Sequence, residues 1–336
     1  MSLLNRLLRI ASPVVLFVLS ACAVITQPSC THLPPTSETL DARRLRSHVD
    51  TLAVEYAPRN YREPENLEAC SSYIYEHFNQ AGGRVTVQPF KVEQVGSSAT
   101  RIGDIVYRNV IASFGPQDGK RIVVGAHYDA CGETPGADDN ASGVAGLIEL
   151  AYLLGRTELN QRVDLVAFTL EEPPFFASSD MGSARHAESL RREGVEVEVM
   201  ICLEMIGFFS EERGSQRFPT PLLKLFYPSR ADYIAVVGGF HDRKLVREVK
   251  ASMRGATELP VHSMCAFRRF AGIDLSDHRN YWNAGYEALM ITDTSFYRNQ
   301  RYHGMSDTPE TLDYECMANV VLGVYEAVVR LANGDH

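Results

Sequence analysis

The sequence has no basic run fit to track phosphates: its 33 Lys and Arg are outnumbered by 42 Asp and Glu, for a formal net charge of −9. That balance excludes nucleic acid as an expected partner. No apolar stretch approaches the roughly 20 residues that span a bilayer as a helix; the nearest, Ile10 to Leu19, has about half that length. The seven cysteines contain no CxxC pair and no disulfide-framework spacing, which argues against a zinc ribbon or a small cystine-built fold. No internal repeat is visible. What remains is ordinary for a globular protein, 45% hydrophobic and 22% charged, and 336 residues give room for one large α/β domain or two small ones.

Residues 1–21 stand apart. Arg6 and Arg9 precede the short apolar run, as in a secretory signal. Leu19-Ser20-Ala21-Cys22 resembles a bacterial lipobox, which would make Cys22 the lipid-modified first residue of the mature chain. The alternative is plain cleavage after Ala21. Ala23, rather than Asp, after the cysteine resembles the sorting pattern for the outer membrane, so the expected location is an exported lipoprotein there, facing the periplasm. Losing Arg6 and Arg9 with the leader takes the net charge from −9 to −11. Residues 22–40, rich in Pro, Ser and Thr, read as a flexible tether, and 41–336 as one globular domain.

Within that domain, Leu67, Cys70, Ile74 and Phe78 fall at helical spacing, and the stretches 85–92 and 107–114 alternate like strands. Then units repeat: strand 121–127, a helix from near Ala141, strand 163–170, helix 180–192, strand 197–204. A further strand and helix follow near 233–254, 255–280 reads as a long loop over the site, and 288–292 is a strand. Met317, Val320, Val321, Val324, Val328 and Leu331 mark the inner face of a closing helix. Helices alternating with apolar strands imply an α/β fold: one domain, a mostly parallel central sheet, and helices on both faces.

Three core strands end in metal-ligand types: His127, Glu171-Glu172 and Glu204. Successive side chains of an extended strand point to opposite faces, so one of the paired glutamates binds metal while the other faces the substrate. Asp139 in the loop after His127, and the late His303, complete two histidines and three carboxylates. Three converging carboxylates would repel one another. Two divalent cations relieve that if one carboxylate bridges and each ion takes one His and one terminal carboxylate. The mixed nitrogen and oxygen set suits zinc, with cobalt or manganese as substitutes.

In order, His127-Tyr128-Asp129, Gly136-Ala137-Asp138-Asp139-Asn140-Ala141-Ser142-Gly143, Glu171-Glu172, Glu204-Met205-Ile206-Gly207, Ser276-Asp277-His278 and Tyr302-His303 resemble metallopeptidase family 28, the co-catalytic zinc aminopeptidases. The resemblance covers roughly residues 60 to 330. It implies the fold of the zinc aminopeptidases and other phosphorylase/hydrolase-like proteins. It makes His127, Glu204 and Asp139 ligands of one zinc, and Asp139, Glu172 and His303 ligands of a second. It implies that Asp129 orients His127, that Asp277 and His278 contact substrate, and that Glu171 is the general base for a water bridging the two ions. A cis peptide at Asp139-Asn140 is a further expectation.

The implied activity is removal of N-terminal residues from peptides with a free N-terminus. Two departures stand out: Glu204 replaces the Asp of many members, and Ile273 sits where some have a tyrosine before Ser-Asp-His. A single-zinc glutaminyl cyclase and a non-catalytic, receptor-like peptidase relative are the alternative readings.

Overall fold

The computed structural model describes residues 25–27, 34–92, 104–268 and 272–334; the expected leader and Cys22 lie outside the described residues. In chain order the elements are α1 (Ala42–Asp50), α2 (Pro64–Gln80), β1 (Arg84–Lys91), β2 (Val106–Phe114), β3 (Arg121–His127), α3 (Gly143–Leu154), β4 (Arg162–Phe168) and α4 (Gly182–Arg192). They continue with β5 (Val197–Glu204), β6 (Ile234–Gly239), α5 (Arg243–Ala256), β7 (Val261–Ala266), α6 (His278–Ala284), β8 (Ala288–Thr292) and α7 (Tyr314–Asn333).

All eight strands form one sheet in the order β1-β2-β4-β3-β5-β8-β6-β7. The centre, β4-β3-β5-β8, is parallel. Antiparallel pairing enters toward both edges, at β1-β2-β4 and at β8-β6, so the sheet is mixed around a parallel middle. The middle strands are buried on both faces, which explains their near-continuous apolar runs. One face carries the larger core, closed by α1, α2, α3, α5 and α7; the other packs on α4 and α6.

Helix α7 forms where the periodicity predicts. Asp313 caps it by accepting from Cys316 N at 2.9 Å, Gly334 at φ 75° ends it, and all six inner-face residues are buried. Gly125 in β3 has a packing reason: a Cβ there would stand 2.3 Å from the Phe168 ring, which lies across the strand.

Two expectations are corrected. The stretch 255–280 is not one loop, because Val261, Ser263 and Cys265 turn inward from edge strand β7, which pairs with β6. The tether is docked at two places: the Thr26 carbonyl accepts from Lys250 Nζ (2.8 Å) and Ser263 Oγ (2.8 Å), and Thr36 N donates to the Ala256 carbonyl (3.1 Å). Helix α3 also begins at Gly143, after an irregular turn over Ala137–Ser142 that contains the expected cis Asp139-Asn140 bond.

Candidate metal centre

The parallel strands deliver the chemistry at their carboxyl ends, where an open α/β sheet leaves room for a ligand. His127 closes β3 and Glu204 closes β5. Glu171 and Glu172 come a few residues beyond β4, after Leu170 turns the chain at φ 58°. Asp139 sits in the turn before α3, and His303 in the loop after β8.

These residues form two donor groups that share Asp139. His127 Nε2 lies 3.4 Å from Asp139 Oδ1 and 3.3 Å from Glu204 Oε2. His303 Nε2 lies 3.2 Å from Asp139 Oδ2 and 3.1 Å from Glu172 Oε2. Donors bound at about 2.0–2.1 Å to a tetrahedral zinc stand about 3.3 Å apart, so these separations match edges of such a site. His127 Nε2 and Glu172 Oε1 are buried without a hydrogen-bond partner among the described residues. Buried polar atoms are rarely left so, and an ion in each donor group would satisfy them. Donor chemistry, spacing and orphaned atoms therefore fit zinc.

Electrostatics say the same. Burial alone would lower both histidines, yet Glu204 and Glu171 hold His127 well above its ordinary range, and hydrogen bonds to Asp139 and Glu172 bring His303 up to about 10. Burial and then the Asp139 charge push Glu172 up to about 7, with His303 opposing. Burial would raise Asp139, but its two histidine partners hold it below the usual carboxylate range. In the protein alone, protons do the neutralising that cations would otherwise do.

Glu171 stands slightly apart, its Oε2 at 3.9 Å from His127 Nε2. It is raised well above the carboxylate range, first by burial and then by Glu172 and Glu204, with His127 opposing. A carboxylate so destabilised in its charged form has a heightened affinity for a proton.

His127 Nδ1 lies 3.1 Å from the Asp129 main-chain carbonyl and 3.6 Å from Asp129 Oδ1, so the Asp129 carboxylate stands beside the imidazole. The same carboxylate accepts from Glu171 N (3.1 Å) and Glu172 N (3.0 Å), and so sets both glutamates. Of the two residues expected to contact substrate, Asp277 is fully buried and within electrostatic reach of His127 and Glu204, and burial pushes it up to about 7. His278 corrects the expectation of substrate contact. It is fully buried, its Nε2 donates to the Ile273 carbonyl at 2.6 Å, and its ring packs edge-on against Trp282.

Several supporting residues escaped the sequence reading. Arg59, fully buried, donates to the carbonyls of Tyr128 (2.9 Å), Leu52 (2.8 Å), Pro135 (2.6 Å) and Gly136 (2.9 Å), tying down the loop between His127 and Asp139. Asp307 accepts from the amides of Asp138 and Asp139. Asn140 Oδ1 accepts from Gly143 N (3.1 Å) and Met205 N (3.0 Å) while its Nδ2 donates to the Leu203 carbonyl (2.9 Å), locking the Asp139 turn to the end of β5. Gly143 allows this, since a Cβ there would meet Asn140 Oδ1 at 2.4 Å. Ser276 Oγ donates to Glu204 Oε2 at 2.6 Å, fixing that carboxylate.

The model of peptidase family M28 matches residues 109–328. The uncharacterized protein YfbL of Escherichia coli (strain K12) is 44% identical, over 93% of this chain and 95% of its own length. A probable zinc metalloprotease of Pyricularia oryzae is 28% identical over 88% of this chain, which spans 65% of that longer protein. Among solved structures, the LapA aminopeptidase of Legionella pneumophila superposes with a TM-score of 0.66 at 18% identity, covering 87% of this chain and 72% of that one. A glutaminyl cyclase of Fimbriiglobus ruber gives 0.64 at 21% identity, covering 90% and 98%. The chain belongs to peptidase family M28, and its fold is the one shared by aminopeptidases and glutaminyl cyclases.

Proposed function

We propose that this chain is a zinc exopeptidase of the aminopeptidase kind, with two ions held side by side and Glu171 as general base. The observation that carries the reading is the division of the Asp139 carboxylate, Oδ1 toward His127 and Oδ2 toward His303. One ion would be held by His127, Glu204 and Asp139, the other by Glu172, His303 and Asp139. Bound zinc supplies Lewis acidity, acidifying a water and polarising the scissile carbonyl. Glu171 takes the proton from the attacking water and returns it to the leaving amine. Asp129 keeps Glu171 in place for both transfers.

The surplus of carboxylates favours a substrate with a free, positively charged N-terminus. An apolar pocket opens beside Glu204, lined by Phe218, Tyr227, Tyr233, Met264, Met290 and Phe296, and suits an apolar first side chain. Export and lipidation at Cys22, with residence at the outer membrane facing the periplasm, belong to the same reading. No helix among the described residues is long and apolar enough to cross a membrane; in this reading a lipid on Cys22 supplies the attachment.

A single-zinc glutaminyl cyclase is the second reading, favoured by the fold match to such an enzyme at a TM-score of 0.64. The test is mass spectrometry of a mixed peptide library incubated with the zinc-loaded soluble domain, with and without chelator. Chelator-sensitive loss of N-terminal residues is expected. Loss of ammonia from N-terminal Gln without shortening would move the assignment to a cyclase. Glu171→Gln should lower kcat by about 10²–10⁴-fold with metal content unchanged.

A further inference from the structure

We infer that Cys131 is a sulfur ligand of the ion on the Glu172–His303 side, a role that the sequence reading did not give it. The inference rests on the proposed two-ion centre. Cys131 Sγ, a Glu172 carboxylate oxygen and a His303 ring nitrogen lie within 4.8 Å of one another. A second observation points to the same place: Glu172, only 4% exposed, leaves Oε1 without a partner among the described residues.

The backbone around the thiol is held in place. The Cys131 carbonyl accepts from Thr134 N (3.1 Å) and Thr134 Oγ1 (2.7 Å), closing a tight turn. Asn60 Nδ2 donates to the Gly132 carbonyl (2.7 Å), and Ala130 N donates to the Arg59 carbonyl (2.8 Å). A short side chain on a pinned loop costs little conformational entropy when it binds. Thiolate is a preferred zinc donor, bonding at about 2.3 Å, and zinc accepts sulfur beside nitrogen and oxygen.

With Asp139 Oδ2 at 3.2 Å from His303 Nε2, sulfur makes that half a four-donor set of Cys131, Glu172, His303 and Asp139. A tetrahedral ion so surrounded has no open position. The other half has only His127, Glu204 and Asp139 and keeps one. The two ions are therefore unequal: the sulfur-capped one is the better retained, and the His127–Glu204 side is the open one.

The experiment replaces zinc with cobalt in the full chain and in its Cys131→Ser and Cys131→Ala variants, measuring bound metal by elemental analysis and the near-ultraviolet absorption. A sulfur-to-cobalt charge-transfer band is expected at two equivalents of metal. It should vanish in both variants, and one of the two ions should be released at least roughly tenfold more readily, the lower end of what even an outer-shell change causes. Two equivalents without that band would overturn Cys131 ligation and leave the two-ion reading standing. One equivalent without the band would overturn both, and one with it would keep Cys131 and overturn the two-ion reading. A band that survives in both variants belongs to another sulfur and overturns the inference. Circular dichroism of each variant confirms that the fold is retained.

Discussion

Replacing Asp129 with Asn tests how the centre is held. The carboxylate receives two main-chain amides, Glu171 N at 3.1 Å and Glu172 N at 3.0 Å, at a residue 2% exposed. An amide side chain keeps one acceptor oxygen and turns its NH₂ toward the other N–H, leaving a buried donor unpaired. Losing a hydrogen bond to a charged acceptor costs about 1.5–3 kcal/mol. At roughly 2–4 °C per kcal/mol for a domain of this class, the metal-free variant should melt about 3–12 °C lower. The His127 contact to the Asp129 main-chain carbonyl survives, so the damage should fall on the glutamates. Turnover should drop about 10- to 100-fold, and the ion on the Glu172–His303 side should be lost before the other. The assay combines thermal melts in chelator, metal analysis during graded chelation, and kcat on the best peptide substrate. If only the His127-side ion is weakened, with the melting point unchanged, the assignment of Asp129 to the glutamates is wrong.

Other expectations follow from the same geometry. His303 is raised to about 10 and Glu172 to about 7, so the metal-free folded state holds protons that the unfolded chain has released. Each stabilising contribution is present below the unfolded value and lost as pH rises through the folded one: Glu172 loses its share by about pH 7, and His303 should make stability fall between pH 7 and 10 with chelator present. His186, His262 and His278, lowered to about 4 by burial, are largely neutral in both states across that window and do not disturb it. Excess zinc should reverse the trend, because metal binds the deprotonated ligands; melts at three pH values with and without zinc check both signs. Asn140→Asp would set a carboxylate oxygen against the Leu203 carbonyl, and should destabilise the fold by about 2–4 kcal/mol in urea titration. Ser276→Ala removes the 2.6 Å bond to Glu204 and should weaken the His127-side ion about 10- to 100-fold with little change in melting of the metal-free protein.

The donor residues that the fold brings together were legible in the sequence because their types are rare together and each ends or follows a strand whose apolar pattern is clear. His127 behind Ile122, Val123 and Val124 is the plainest case. What holds the ligands was not legible, since Arg59 and Asp307 act on carbonyls and amides far away in the chain, which no local pattern records. Histidines outside the motifs also have distant partners: His48 Nε2 meets Glu149 Oε1 at 3.0 Å, and His186 Nδ1 meets the Tyr281 hydroxyl at 2.5 Å. Strand β7 was missed because His262 and Met264 face partly outward at a sheet edge, which left no apolar run to notice. Cys131 was passed over because its fellow donors lie 41 and 172 positions further on.

The bond of Lys250 and Ser263 to the Thr26 carbonyl sets the length of a leash. Thr26 comes four steps along the chain from Cys22, and an extended chain reaches at most about 3.6 Å per step, so the span is about 14 Å. That is shorter than the roughly 19 Å radius of gyration of a domain this size. With lipid on Cys22, the β7–α5 edge would lie against the bilayer, and exposed Arg243, Lys244 and Arg247 on α5 would face the phospholipid head groups. The protein would then hold one fixed attitude to the membrane, and peptides would reach it from one side only.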